Sequence, residues 1–387
     1  MQTLLVRRNQ DLLQNLDQLL TLLVDAKIPP ELELFRDKLV ARCKKLRQDV
    51  THNLSYLSLG EKSILKDILS ATTQTVQEVH LISSRLATPV LRTTPADRLC
   101  LITIEWLHGS NPETAPYPAA FVNSSPAIWP FHDRAPAPIY FFPNLEQHGL
   151  LYQSLLFHEF GHFLYRCHEP EMDALVCDLQ YSINDLLMPA SQRNDRYSEY
   201  VTNQRQDIAY TWYAWVQELF CDSVGFHIGG PSFINAFSKY LGMRDQSQYF
   251  RPLKYLVGSS HPVTWLRVHF LARRAEDAGY YDLANHIEDE WHSIADLLGL
   301  TEDYYGFYDE SLDKVINQTI EDMLIEAGPR QCTDHEVSAR GWSPKSDSLV
   351  QLFNWAWQVY SSSPDQYFSW ESKQVERLLS IKSPLPT

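Results

Sequence analysis

The residues best suited to chemistry stand together as His158-Glu159-Phe160-Gly161-His162. In a helix, histidines four positions apart project from one face about a turn apart, a spacing that suits a single zinc ion. Glu159 beside them can act as general base, because zinc lowers the pKa of a bound water toward neutrality and a nearby carboxylate then takes its proton. The neighbours favour a metal over a solvated helix face. Leu155, Leu156, Phe157, Phe160, Phe163 and Leu164 surround the motif. Unpaired polar groups buried among them would each cost roughly a few kcal/mol unless an ion engages them.

A catalytic zinc needs a third protein ligand and an open position. Glu218, in Trp215-Val-Gln-Glu-Leu-Phe-Cys-Asp222, is the candidate, since its helical segment carries a carboxylate amid aromatic and aliphatic residues. Asp222, one turn on, can accept the second ring N–H of a zinc histidine and fix its tautomer. Cys221 is a rival ligand, but it points about 100° away from Asp222 and a thiolate lowers Lewis acidity. Cys167 and His168 fall past the end of the histidine helix and read as incidental. A third signal is Ser259-Ser260-His261-Pro262-Val-Thr-Trp-Leu-Arg267. His261 at a helix N-terminus would stay neutral and could approach a cation. Arg267, two turns in, would pair with a site carboxylate or stabilise oxyanion charge.

The elements that must position these residues follow from periodicity. Leu5, Leu12, Leu16, Leu19 and Leu23 mark a first helix ending at Ile28-Pro29-Pro30; Leu32, Phe35, Leu39, Leu46 and Val50 a second; Ile64, Ile68, Val76, Val79 and Ile82 a third. Leu99-Cys-Leu-Ile-Thr-Ile-Glu-Trp106 reads as a strand, residues 111–138 as loop-rich, and Ile139–Phe142 as a second strand. Asn144 with Gln147 predicts a capping box opening the histidine helix, which runs to about Arg166. Further helices are expected from about Asp207 to Gly229-Gly230, after Pro231 and after Pro262, with proline at the first helical position. The fold class is α+β, mostly α, with a small sheet. Three regions are expected: an N-terminal helical bundle over 1–95, a catalytic domain over 96–280 and a helical region over 281–387 packing on it or regulating it.

With 387 residues, 44% hydrophobic, the chain can bury a full core. No run approaches the roughly 18–20 apolar residues of a membrane helix, so no membrane span is expected. The N-terminus lacks the order of a secretory signal. The six cysteines are scattered without a C-x-x-C pair, which argues against disulfides and against a cysteine zinc knuckle. A soluble, cytoplasmic protein is expected. Net charge is -15; residues 1–95 hold 13 Lys+Arg against 10 Asp+Glu, the rest 20 against 38. Such a surface repels nucleic acid. The basic cluster Arg42, Lys44, Lys45 and Arg47 reads as a solvated helix face. The N-terminal helices are a scaffold or the site of a regulatory protein partner.

Taken together, H-E-F-G-H, Glu218-x-x-x-Asp222 and Ser260-His261-Pro262 with Arg267 resemble the gluzincin clan of zinc peptidases. Within it they are most similar to the prenyl-protein protease and stress-induced membrane metalloprotease group. The likeness spans roughly residues 135–280. The membrane spans common in that group are absent, and Phe220 and Cys221 stand where a second carboxylate and a small residue are usual. The resemblance implies a zincin-type domain with endopeptidase activity, zinc on His158, His162 and Glu218, Glu159 as base, and His261 near zinc in substrate or oxyanion contact. The expected substrate is a protein or peptide, for which a strand edge such as the run ending at Phe142 would form part of an extended cleft. Rival expectations are a zinc-stabilised interaction protein whose site is closed by His261 or Cys221, a latent peptidase capped by His261, and a small-amide hydrolase.

Overall fold

A computed structural model describes residues 1–60, 62–129, 137–143, 149–188, 199–242, 245–381 and 385, of which 199–203 only as backbone. It is mostly helical with one three-stranded sheet, the expected α+β class. The chain divides into two compact units, Met1–His148 and Gly149–Thr387. That division falls at neither 95 nor 280.

In the first unit, α1 (Gln2–Asp25), α2 (Glu33–Ser58) and α3 (Leu65–Leu81) pack as the expected bundle. α1 buries Leu5, Asn9, Leu12, Leu16, Leu19 and Leu23, one stripe at spacings of three and four. Asn9 interrupts this apolar seam and is satisfied there. Its Nδ2 donates to Leu5 O at 2.8 Å and to Thr72 Oγ1 of α3 at 3.0 Å. Such a buried amide penalises any register that leaves it unpaired. In the basic cluster, Arg42 pairs with Glu78 of α3 and Arg47 with Asp17 of α1 at 2.6 Å. Those two charges serve contacts within the bundle.

A π-turn (Ile82–Leu86) and α4 (Thr88–Arg92) lead to α5 (Arg98–Gly109). α5 corrects the expected first strand. Leu99 to Ile104 and Trp106 to His108 are all buried, so no polar stripe reveals the 3.6-residue period and the β-branched Ile102, Thr103 and Ile104 imitate a strand. Helical geometry lets Thr103 Oγ1 donate to Leu99 O at 2.9 Å. The sheet holds β1 (Phe121–Asn123), β2 (Ala127–Trp129) and β3 (Ile139–Phe142) in the order β1-β3-β2, with β1 parallel and β2 antiparallel to β3. Ile139–Phe142 is therefore a strand as expected, but it is central and offers no free edge.

The second unit opens with a 3-10 turn (Gln153–Leu155) and α6 (Leu156–Cys167). The expected capping box at Asn144 and Gln147 lies outside the described residues, and the helix begins only at Leu156. α7 (Glu169–Leu186), α8 (Glu199–Gly229), α9 (Pro231–Leu241) and α10 (Thr264–Asp277) follow. α8 has 31 residues, about 46 Å at 1.5 Å per residue. Every residue from Glu218 to Gly225 is buried, because α6, α7, α9 and α10 pack along α8 together with later helices. At its end Gly230 adopts φ +60°, a backbone turn that disfavours a side chain, and Pro231 starts α9 at a position where no amide is needed. Pro262 differs from expectation. α10 starts at Thr264, leaving His261 in a bend and Pro262 in the irregular link ahead of the helix.

α11 (Tyr281–Leu298), α12 (Asp313–Ala327), α13 (Asp334–Ser338), α14 (Leu349–Ser362) and α15 (Pro364–Leu379) complete the unit. α11 packs on α10, α12 on α7 and α8, and α14 on α8 and α9. The last hundred residues thus belong to the same core as the histidine helix. Among the described residues no helix is long and apolar enough to cross a membrane.

Candidate metal centre

The site begins where α6 crosses α8. A Cβ added at Gly161 would lie 2.7 Å from Cys221 Cα and 3.1 Å from its Sγ. Glycine therefore lets the two backbones approach, and its neighbours His158 and His162 are brought down onto Glu218. The same contact turns the Cys221 thiol toward α6 at Gly161. Burial raises the pKa of that thiol well above its ordinary value, and its sulfur is not among the ligand atoms that converge in the group described next.

His158, His162 and Glu218 each offer a ligand atom, and these atoms all lie within 4.8 Å of one another. Among the described residues no other such group of histidine, cysteine and carboxylate occurs. His158 Nε2 is 3.5 Å from Glu218 Oε2, and His162 Nε2 is 3.4 Å from Oε1. The two rings stand 5.0 Å apart, nearly perpendicular. Glu218 is 5% exposed, yet its Oε2 has no hydrogen-bond partner. A buried carboxylate oxygen without a hydrogen bond is costly, and a cation held by two imidazole nitrogens and one carboxylate relieves it. That donor set suits zinc. The residues present fit a metal ion.

Asp222 ties the group to α10. It accepts from Arg267 through both oxygens, from Nε at 2.8 Å and Nη2 at 2.7 Å, while His158 Nδ1 lies 2.9 Å from its Oδ1. Arg267 Nη1 stands 3.3 Å from Glu218 Oε2, and the guanidinium lies 4.8 Å from the Phe237 ring centroid. Of the two roles expected for Arg267, the geometry contains the carboxylate pairing; the side chain is buried and spent on Asp222 and Glu218.

The charges follow from this arrangement. Burial opposes a charged His158, but the hydrogen bond to Asp222 and the nearby charges of Asp222 and Glu218 outweigh it and raise its pKa to about 10. His162 is only partly buried, yet desolvation with less carboxylate support lowers it to about 4. Burial disfavours charge on Glu218 and Asp222 too, yet the histidines and Arg267 hold both below the ordinary carboxylate range. Burial carries Glu159, 7% exposed beside these groups, up to about 7.

His261 lies apart from the three-residue group, its side chain 54% exposed, with Nε2 3.4 Å from Glu218 Oε1. Partial burial and the charge of Arg267 lower its pKa, so the ring is neutral for a reason other than the expected helix end. Three residues to which the sequence assigned no role hold this segment. Trp215 Nε1 donates to Ser259 Oγ at 2.9 Å, Ser259 Oγ to His261 O at 3.2 Å, and Arg251 Nη1 to the same carbonyl at 2.8 Å. His168 pairs with Glu326 at 3.2 Å and takes no part in the centre.

Family models, curated proteins and solved structures yield no match to this chain.

Proposed function

We propose that the chain is a zinc-dependent hydrolase of peptide bonds, of the gluzincin kind that its motif order resembles. The observation that carries this is the convergence of His158, His162 and Glu218, from two helices, with a buried Glu159 beside them and an oxygen of Glu218 lacking any hydrogen bond. When bound, zinc would polarise a carbonyl and bring a water's pKa toward neutrality.

His158, His162 and Glu218 would hold the ion. Asp222, accepting from His158 Nδ1, keeps Nε2 of that ring as the ligand atom. Arg267 fixes Asp222 by its two-pronged contact and so sets the spacing between α8 and α10. Glu159 takes the proton of the attacking water and delivers it to the leaving nitrogen, a role for which a pKa near neutrality is suited. His261, at the exposed side of Glu218, meets the substrate carbonyl as negative charge develops there.

The test is zinc content measured beside cleavage of an unstructured protein. Wild-type protein should hold one zinc and cleave. Glu159→Gln should hold zinc equally and cleave at least about a hundredfold more slowly, the usual contribution of a general base. Cleavage at the wild-type rate by this variant, or none by the zinc-loaded wild type, would overturn the assignment.

A further inference from the structure

Arg251 lies half-buried on the segment between α9 and α10. Its Nη1 donates to His261 O at 2.8 Å and its Nε to Ser247 O at 3.3 Å. Since His261 reaches to within 3.4 Å of Glu218, a single residue separates the Arg251 guanidinium from the candidate ligands.

Both partners are neutral carbonyls. A guanidinium has five N–H donors and stays charged in proteins, and among the described residues these two bonds leave the Nη2 end without a partner. Among the described residues no carboxylate pairs with Arg251, whereas Arg267 is spent on Asp222 and Glu218. Asp245 is occupied in capping a 3-10 turn, accepting from Ser247 N at 2.7 Å. Burial, and after it the charge of Arg267, lowers the pKa of Arg251, and the charge of Asp245 opposes them.

We infer that Arg251 is a substrate-binding residue that takes a single carboxylate of the peptide beside the scissile bond, an inference that rests on the hydrolase function proposed above. The planar fork matches a carboxylate and binds it by charge-assisted hydrogen bonds. One carboxylate is a better fit than an acidic tract, because residues 96–387 carry 38 Asp+Glu against 20 Lys+Arg and repel diffuse negative charge. The carboxylate is either a free C-terminus or an acidic side chain.

Zinc-loaded, full-length Glu159→Gln protein separates these by binding without turnover. It is titrated with three peptides of one sequence: neutral and amidated, the same with a free C-terminal carboxylate, and the amidated form with one Gln replaced by Glu. One acidic form should bind about tenfold or more tightly than the neutral one, and the form that gains identifies the source. Adding Arg251→Gln should bring that ratio to about one, while Arg251→Lys, which keeps the charge, retains part of it. Equal or absent affinity for all three peptides overturns the inference. So does a preference that survives Arg251→Gln, including a uniform loss with the ratio intact, which would make Arg251 only a support for His261. Failure of the hydrolase function itself would show separately, as absent cleavage by the wild type.

Discussion

At the scale of single residues the centre is a set of charges that hold one another. His158 sits between Asp222, 2.9 Å from Nδ1, and Glu218, 3.5 Å from Nε2, so without a metal it carries a proton at neutral pH. That proton stabilises the metal-free fold fully below the ordinary histidine pKa of about 6.5, and the contribution fades as pH rises through about 10. A cation on Nε2 must displace it, so zinc affinity should rise with pH across the same window. Calorimetric titration at pH 7, in buffers of different ionisation enthalpy, should show about one proton released per zinc. Asp222→Asn should diminish that proton and weaken zinc about ten- to a hundredfold, as loss of a histidine's outer carboxylate does. Wild-type affinity and proton release in the variant would exclude this role for Asp222.

At the scale of elements, the spacing of α6 and α8 decides whether the ligands meet. Gly161 is the point of closest approach. Alanine there would gain up to about 1 kcal/mol in helix propensity. Its Cβ would fall 2.7 Å from the Cys221 Cα, a backbone atom that a rotamer change cannot move. Overpacking of this kind costs typically about 1–3 kcal/mol, so the clash wins. Gly161→Ala should lower the melting temperature and weaken zinc binding together, because helix separation moves both histidines from Glu218. Unchanged zinc affinity in a folded Gly161→Ala protein would show that the crossing does not set the ligand geometry.

At the scale of the whole molecule, the chain holds two compact units, and the candidate ligands all lie in the second. A ligand that binds only the folded form stabilises by mass action, by about 2.7 kcal/mol at a hundredfold excess over its dissociation constant. For a unit of this size that is a shift of roughly 5–10 °C. Differential scanning calorimetry with a chelator, then with zinc restored, should move one transition by this amount and leave the transition of residues 1–148 in place. A chelator that moves neither would mean the centre is not metal-loaded.

The sequence alone determined the features that are local or periodic. The three helices of the first unit, each with its apolar stripe, and the strand at Ile139–Phe142 follow from spacing, as does the pairing of His158 with His162, because each is written in residues a few positions apart. Glu218 and Asp222 were legible from a carboxylate pair one turn apart in an apolar helix. Burial that is complete on every side erased the signal, so Leu99–Trp106 resembled a strand while folding as α5. Tertiary structure decided what depends on distant segments meeting: that Cys221 faces Gly161, that Arg267 is bound to Asp222, and that Arg251 and Trp215 hold His261. Those contacts join residues far apart in the chain, and no spacing in a sequence encodes which helix faces which.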